Sequence, residues 1–229
     1  MILKLFVFRH AETFDNRRGI FSGWRDSDLT LKGISQAQDI AEQLKRYRID
    51  YAFTSHLRRA RKTLEIALQG HPSIKVFIDD RLIERCYGLL QGRSKKRVAN
   101  EIPDCYAQIN RGYNFVPPEG ESLSMVEKRV LSFLEQLRDW LGQAPGNVAI
   151  SCHSNSIRPI RRVFEHLTMK QMLKLETSPD CVMVYDFHQR DWGIESPREM
   201  AANLDWKGTV IPRKVRLATD ILNPLKKYY

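Results

Sequence analysis

Two short stretches of the 229-residue chain combine residue types that can do chemistry. Ile2-Leu-Lys-Leu-Phe-Val-Phe8 runs straight into Arg9-His10, and Asn147-Val-Ala-Ile-Ser-Cys152 runs into His153. Each is an apolar run of strand length that ends abruptly on an imidazole. A neutral imidazole can attack phosphorus, and the Arg beside the first one offers a planar fork of donors to phosphate oxygens. A single histidine after a strand is more often structural, and Arg-His is a common dipeptide. Two histidines ending two hydrophobic strands of one chain suit a shared pocket, because open α/β sheets place their ligands at the carboxyl ends of strands.

The remaining elements must bring those ends together. Thr30 is placed to cap a helix whose Leu31, Ile34, Ala37, Ala41, Leu44 and Tyr47 recur at three- and four-residue steps. Ile49–Phe53 reads as the next strand, and a helix starting at His56 is stopped by Gly70. Ile74–Ile78 is a third strand. Residues 93–121 are basic and then loop-like, after which Ser122 caps a long helix with Leu123, Val126, Val130, Phe133, Leu137 and Trp140 on one face, ended by Gly142. A helix with Arg158, Arg161 and Arg162 on a largely solvated face follows His153, and Cys181–Phe187 reads as another strand.

Composition bounds the reading. Apolar residues make up 42% and charged ones 28% of the chain, an ordinary globular balance. No run approaches the roughly 18 apolar residues of a membrane span, and the start of the chain lacks a signal-peptide pattern, so a cytoplasmic location and no membrane partner are expected. Cys86, Cys105, Cys152 and Cys181 show neither metal-like nor redox-like spacing and read as reduced thiols. The net charge of +10 asks for an anionic partner. Nucleic acid is the generic candidate and a small phosphorylated metabolite the specific one, and no nucleic-acid-binding signature is present to support the first.

Arg9-His10-Ala11-Glu12-Thr13 resembles the Arg-His-Gly-Glu-Thr signature of the histidine phosphatase superfamily, in the branch holding phosphoglycerate mutases and small phosphatases. Phe21-Ser-Gly-Trp through Leu29-Thr-Leu-Lys-Gly33 resembles that branch's Gly-Trp-x-Asp-x-x-Leu-Thr-x-x-Gly segment. Ser55-x-Leu57-x-Arg59-Ala-x-x-Thr63 is similar to its second arginine motif. Glu84-Arg-Cys-Tyr-Gly-Leu-Leu-Gln-Gly92 resembles a mutase stretch, and Cys152-His153-Ser154 its second His-Gly element. Ala11 and Ser154 replace the usual glycines, so the turn at Ala11 must avoid strongly positive φ.

The resemblance implies a single domain over residues 1–229, with 198–229 a basic C-terminal segment. It implies an α/β fold, a three-layer sandwich with a mostly parallel central sheet and helices on both faces. It implies phosphoryl transfer through a phosphohistidine: His10 as nucleophile, Arg9, Arg59 and His153 holding the phosphoryl oxygens, and Glu84 as proton donor. Asn16, Ser22, Gly23, Arg85, Tyr87, Lys95, Arg111, Ser154 and Asn155 are the implied substrate-binding residues, and no metal is required. The segment between Gly92 and Glu121 is shorter than the mutase insertion, which favours metal-independent hydrolysis of a small phosphate monoester. A 2,3-bisphosphoglycerate-dependent mutase, with that bisphosphate as its cofactor, is the alternative. A different class of reading, an inactive relative that binds phospho-ligands or a protein, draws only on Ala11 and Ser154. The oligomeric state is left open, a homodimer being one option.

Overall fold

A computed structural model describes residues 2–188 and the backbone of Arg216–Leu217. The basic segment 198–229 otherwise lies outside the described residues. Five strands are β1 Ile2–Arg9, β2 Tyr51–Thr54, β3 Lys75–Ile78, β4 Val148–Cys152 and β5 Val182–His188, and β6 is the pair Arg216–Leu217. They form one sheet in the order β5-β1-β4-β2-β3-β6. The β1–β4, β4–β2 and β2–β3 pairs are parallel, whereas β5 and β6 are antiparallel at the two edges. Eight helices are described: α1 Phe14–Arg17, α2 Leu31–Leu44, α3 Arg58–Ala67, α4 Lys95–Glu101, α5 Pro103–Arg111, α6 Leu123–Gln143, α7 Ser154–Phe164 and α8 Met169–Lys174.

The two-residue period of a strand explains the layering. From β1, Leu3, Leu5 and Val7 pack with Val148 and Ile150 against Val130, Leu134 and Leu137 of α6 and Ile157 and Ile160 of α7. The intervening Phe6 and Phe8 face the other way, with Ala52 and Ala149, onto Ile40 and Leu44 of α2 and Leu64 and Ala67 of α3. Apolar residues on both faces require helices on both faces, and the three-layer sandwich follows.

The topology fixes where the chemistry can sit. From β1 the chain moves toward β2 on one side, and from β4 it moves toward β5 on the other, although β1 and β4 are neighbours. Their carboxyl ends are therefore a topological switch point, where crossovers leave in opposite directions and open a crevice. His10 and His153 are the residues that immediately follow these two strands. The His10 N–H donates to Cys152 O at 2.9 Å, continuing the ladder beyond β1.

Several local expectations are corrected. Leu31 is exposed and Ile34 half-exposed, because the buried stripe of α2 runs through Gly33, Gln36, Ala37, Ile40 and Leu44. Tyr47 lies past the helix end, yet its ring packs 4.9 Å from Phe6. α3 ends at Ala67, before Gly70, and α6 passes through Gly142 to Gln143. The expected caps hold: Thr30 accepts from the Gly33 N–H at 3.0 Å and Ser122 from the Met125 N–H at 3.1 Å. The largest difference is the segment 93–121, expected as a loop, where α4 and α5 form. Ser94 caps α4 and Pro103 occupies the first turn of α5, but each helix is too short for an apolar stripe to stand out.

Candidate active site

His10 is almost fully buried, and both ring nitrogens are engaged. Nδ1 lies 2.8 Å from Ala11 O, and Nε2 lies 3.3 Å from Arg59 Nε. A carbonyl can only accept and a guanidinium N–H can only donate. Both contacts therefore require the same tautomer, with the proton on Nδ1 and a lone pair on Nε2. Burial, then the charges of Arg59 and Arg9, hold its pKa well below the usual histidine range. The ring is neutral at ordinary pH, with its lone pair on Nε2. The Ala11 substitution is accommodated as expected: the residue is buried and does not take positive φ, and its N–H donates to Thr63 Oγ1 at 3.0 Å.

His153 is the N-cap residue of α7, fully buried, with its ring centroid 5.1 Å from that of His10. Its Nε2 is 2.7 Å from Ser55 Oγ, while Nδ1 has no partner. Burial first, then Arg59 and His10, lower its pKa well below the ordinary value.

A cleft of about 300 Å³ opens on His10. Arg9, Arg59, Lys95, Arg111 and Arg158 bring positive charge to its wall, against the two carboxylates Glu84 and Glu176. Arg59 is nearly inaccessible and donates from Nη1 to Arg25 O and from Nη2 to Gly23 O, each at 2.7 Å. It thus pins the 23–25 turn as well as touching His10. Gly23 holds φ +53° there, a left-handed conformation that glycine adopts without strain. Arg9 reaches Thr177 O at 3.3 Å through Nη1, and its Nε has no partner.

Glu84 presents one carboxylate oxygen to backbone donors: Oε1 accepts from the Arg85 N–H at 2.8 Å and the Asn155 N–H at 3.3 Å. Its carbonyl is held by Trp24 Nε1 at 2.7 Å and Arg129 Nη2 at 3.1 Å. Asn16 completes a capping box with Thr13, its Oδ1 accepting from the Thr13 N–H at 3.2 Å. That leaves its amide N–H groups as the end available to the cleft. Ser22, Gly23, Tyr87, Lys95, Arg111, Ser154 and Asn155 also line the cleft.

Arg85 is not part of that wall. It is fully buried and donates to Glu121 O at 2.7 Å, Ile109 O at 2.9 Å and Phe115 O at 2.9 Å, which corrects its expected substrate-binding place. Three carbonyls saturate its nitrogens, so its work is to hold the 109–121 chain over the site. Arg158 and Arg162 correct the solvated-face expectation in the opposite direction. Arg158 is buried, lines the cleft, and donates to Asn155 Oδ1 and to Leu175 O. Arg162 donates to the buried carboxylate of Glu127 at 2.6 Å.

Sequence reading also passed over Ile20, Phe21, Tyr106, Asn110 and Glu176, all of which line the cleft. For Arg158 a signal existed: it stands three residues after Asn155 on one helix, so the two share a face. Tyr106 and Asn110 share a face of α5 at four-residue spacing, legible only once that helix is recognised. Glu176 carried no local signal.

Comparisons with known proteins identify the family and the fold. The family model of the histidine phosphatase superfamily (branch 1) matches residues 5–199. A 2,3-bisphosphoglycerate-dependent phosphoglycerate mutase of Protochlamydia amoebophila is 31% identical over 221 residues, covering 83% of this chain and 98% of that protein. A phosphoglycerate mutase of Schizosaccharomyces pombe is 36% identical over 186 residues, covering 79% and 88%. Among solved structures, the α-ribazole phosphatase of Shigella flexneri superposes with a TM-score of 0.73 at 27% identity, covering 82% of this chain and 92% of that one. The phosphoglycerate mutase of Bacillus anthracis shares the fold, with a TM-score of 0.68 at 20% identity and coverage of 85% and 92%.

Proposed function

The chain belongs to the histidine phosphatase superfamily, branch 1, and from that premise we propose that it moves a phosphoryl group from a small phosphate monoester to His10 Nε2 and then to water. The observation that carries this reading is the tautomer of His10, set by Ala11 O and Arg59 Nε so that the lone pair lies on Nε2. The bond from phosphorus to the ester oxygen breaks as the Nε2–P bond forms. Glu84 delivers a proton to the departing alkoxide, then as carboxylate takes one from the water that attacks the phosphohistidine. Arg9, Arg59, His153 and the Asn16 amide hold the phosphoryl oxygens, placing fixed positive charge where the transition state is negative. Ala11 and Ser154 leave the charged machinery in place, which counts against a purely binding role.

Two features support hydrolysis as the dominant outcome. The cover between Gly92 and Glu121 consists of only two short helices, of seven and nine residues, and a thin cover admits water. The α-ribazole phosphatase likeness points the same way. A second reading, phosphoglycerate mutase with 2,3-bisphosphoglycerate as phosphoryl donor, draws on Lys95, Arg111 and Arg158, which give the cleft cations beyond those at His10 and suit a substrate with a second anionic group. The curated relatives named as mutases add to it. We place either activity in the cytoplasm.

The test is to trap the phosphoenzyme from a panel of phosphate monoesters and map it by mass spectrometry, alongside turnover of 3-phosphoglycerate with catalytic 2,3-bisphosphoglycerate. An acid-labile phosphate on His10 and phosphate release are expected. Turnover that persists in His10→Ala would overturn the mechanism. Formation of 2-phosphoglycerate much faster than free phosphate would replace hydrolysis by the mutase reading.

A further inference from the structure

We propose that Ser55 is a positioning residue that fixes the tautomer of His153, so that His153 donates a hydrogen bond from Nδ1 to the phosphoryl group. The inference rests on the phosphohistidine reading above for its kinetic consequence, but not for its structural premise. Ser55 is the first residue after β2, and β2 runs beside β4 with Thr54 opposite Ser151. The two strand ends therefore deliver Ser55 and His153 side by side, with Oγ and Nε2 2.7 Å apart.

Proton accounting decides the direction of that bond. Ser55 is completely buried, and its hydroxyl proton has one acceptor in reach, His153 Nε2. Were Nε2 protonated, it would donate to Oγ and the hydroxyl proton would be left buried with nothing to accept it, at a cost of about 1–3 kcal/mol. The hydroxyl therefore donates to a bare Nε2. His153 is neutral where it is buried beside Arg59, so its single ring proton sits on Nδ1. Nδ1 is the ring atom that lacks any partner, and it belongs to a ring 5.1 Å from the nucleophilic imidazole.

The chemical consequence is a sign. With the proton on Nδ1, the unpartnered edge of the ring is a donor to an anionic phosphoryl oxygen. With the proton on Nε2, the same edge is a lone pair and repels it. Ser55 makes no contact with the substrate in this scheme. It acts through the imidazole, as an orienting group behind a catalytic ring does when it selects the tautomer.

The experiment reads the tautomer directly. In phosphate-free protein labelled with 15N-histidine, long-range 1H–15N correlation spectra should show His153 with a protonated Nδ1 and a bare Nε2, the signal being assigned by its loss in His153→Gln. Ser55→Ala should shift His153 toward the other tautomer and lower kcat about 10-fold with KM nearly unchanged, since the lost bond is one that strengthens in the transition state. Ser55→Thr, which keeps the hydroxyl, should restore both signals. A protonated Nε2 in the wild type, or a Ser55→Ala protein with the wild-type tautomer, overturns the proposal. Failure of the phosphohistidine reading would show instead as activity surviving in His10→Ala, with the resting tautomer unaffected.

Discussion

Two groups of buried or half-buried arginines surround Glu84, and they use the same side chain in opposite ways. On one side, Arg81 donates to Asp79 at 2.9 Å, to Ser132 O at 3.0 Å and to Gln136 at 2.6 Å. Arg85 spends its nitrogens on three carbonyls, and Arg129 on Glu121 at 3.1 Å, Arg81 O at 2.7 Å and Glu84 O. On the other side, Arg9 and Arg158 each keep a buried Nε without a partner, as do His153 Nδ1 and Ser22 Oγ. Four of the seven buried side-chain atoms without a hydrogen bond, among the described residues, thus belong to residues on or immediately behind one cleft. An unmade buried hydrogen bond is unfavourable, so these clustered polar atoms are the ones on this side best able to take a polar partner. Arg81, Arg85 and Arg129, with every nitrogen engaged, build the frame, and Arg9 and Arg158 keep a donor open at the cleft. Arg59 belongs to both groups, since its three nitrogens are bonded while it lines the cleft.

The contrast predicts that the two groups respond oppositely to substitution. The largest effect is expected at His10, the nucleophile we propose: His10→Ala should lower kcat by about 10⁴-fold or more, read in steady-state phosphate release, with thermal stability retained. A variant that kept even a tenth of the activity would move the chemistry to another residue.

Arg162→Met should do the reverse. Glu127 is fully buried and bonded by Arg162 and by the Tyr113 hydroxyl, both at 2.6 Å. Removing the cation leaves a buried carboxylate with one neutral partner, and a loss of about 3–5 kcal/mol in denaturant unfolding is expected. The kcat per folded molecule should be unchanged. Stability within about 1 kcal/mol of wild type would mean that the frame is less dependent on saturated charge than its geometry implies.

Arg158→Met sharpens the distinction, because this arginine looks like a frame residue by burial and like a site residue by its open Nε. We expect kcat/KM to fall about 10²-fold, as for loss of another transition-state charge donor, with stability in phosphate-free buffer within about 1 kcal/mol of wild type. Inorganic phosphate at 100 times its Kd should stabilise the wild type by about 2.7 kcal/mol, and the variant less at the same concentration. A variant that unfolds readily but turns over normally would put Arg158 in the frame.

Much of the site was legible because its chemistry sits on strand ends. The apolar runs before His10 and His153 mark two buried strands by composition alone, and parallel pairing then brings their ends together. Asn16, Arg59 and Glu84 were recoverable only through their motifs, since nothing in local periodicity aims a loop side chain at a cleft. Arg85 and Arg158 were exchanged for a physical reason. A charged residue in a motif reads as ligand-binding and one on a helix as solvated, and only the fold shows which carbonyls surround each guanidinium. The helices α4 and α5 were hidden for want of a long apolar stripe, and Tyr106 and Asn110 were hidden with them.

The smallest effect concerns pH, and it separates the two groups by their protons. His10 and His153 have folded pKa values well below 6.5, burial being the leading cause, while in the unfolded chain both titrate near that value. Between about pH 6.5 and their folded pKa values the unfolded state therefore binds more protons than the folded state, so stability falls as pH falls through that window. Each histidine should contribute about 1 kcal/mol of loss between pH 6.5 and 5.5. His56, on the exposed edge, runs the other way: its hydrogen bond to Asp80 at 2.9 Å raises its pKa. Its stabilising contribution is full below pH 6.5 and fades as pH rises through the folded value. Denaturant unfolding at pH 6.5 and 5.5 in phosphate-free buffer should show a pH dependence shallower by about 1 kcal/mol in His153→Gln than in the wild type. The acid limb of kcat/KM should lie below the ordinary histidine range, because His10 keeps its lone pair there. An unchanged pH dependence of stability in His153→Gln would mean that the ring is charged in the folded protein, and the neutral donor assigned to it would be lost.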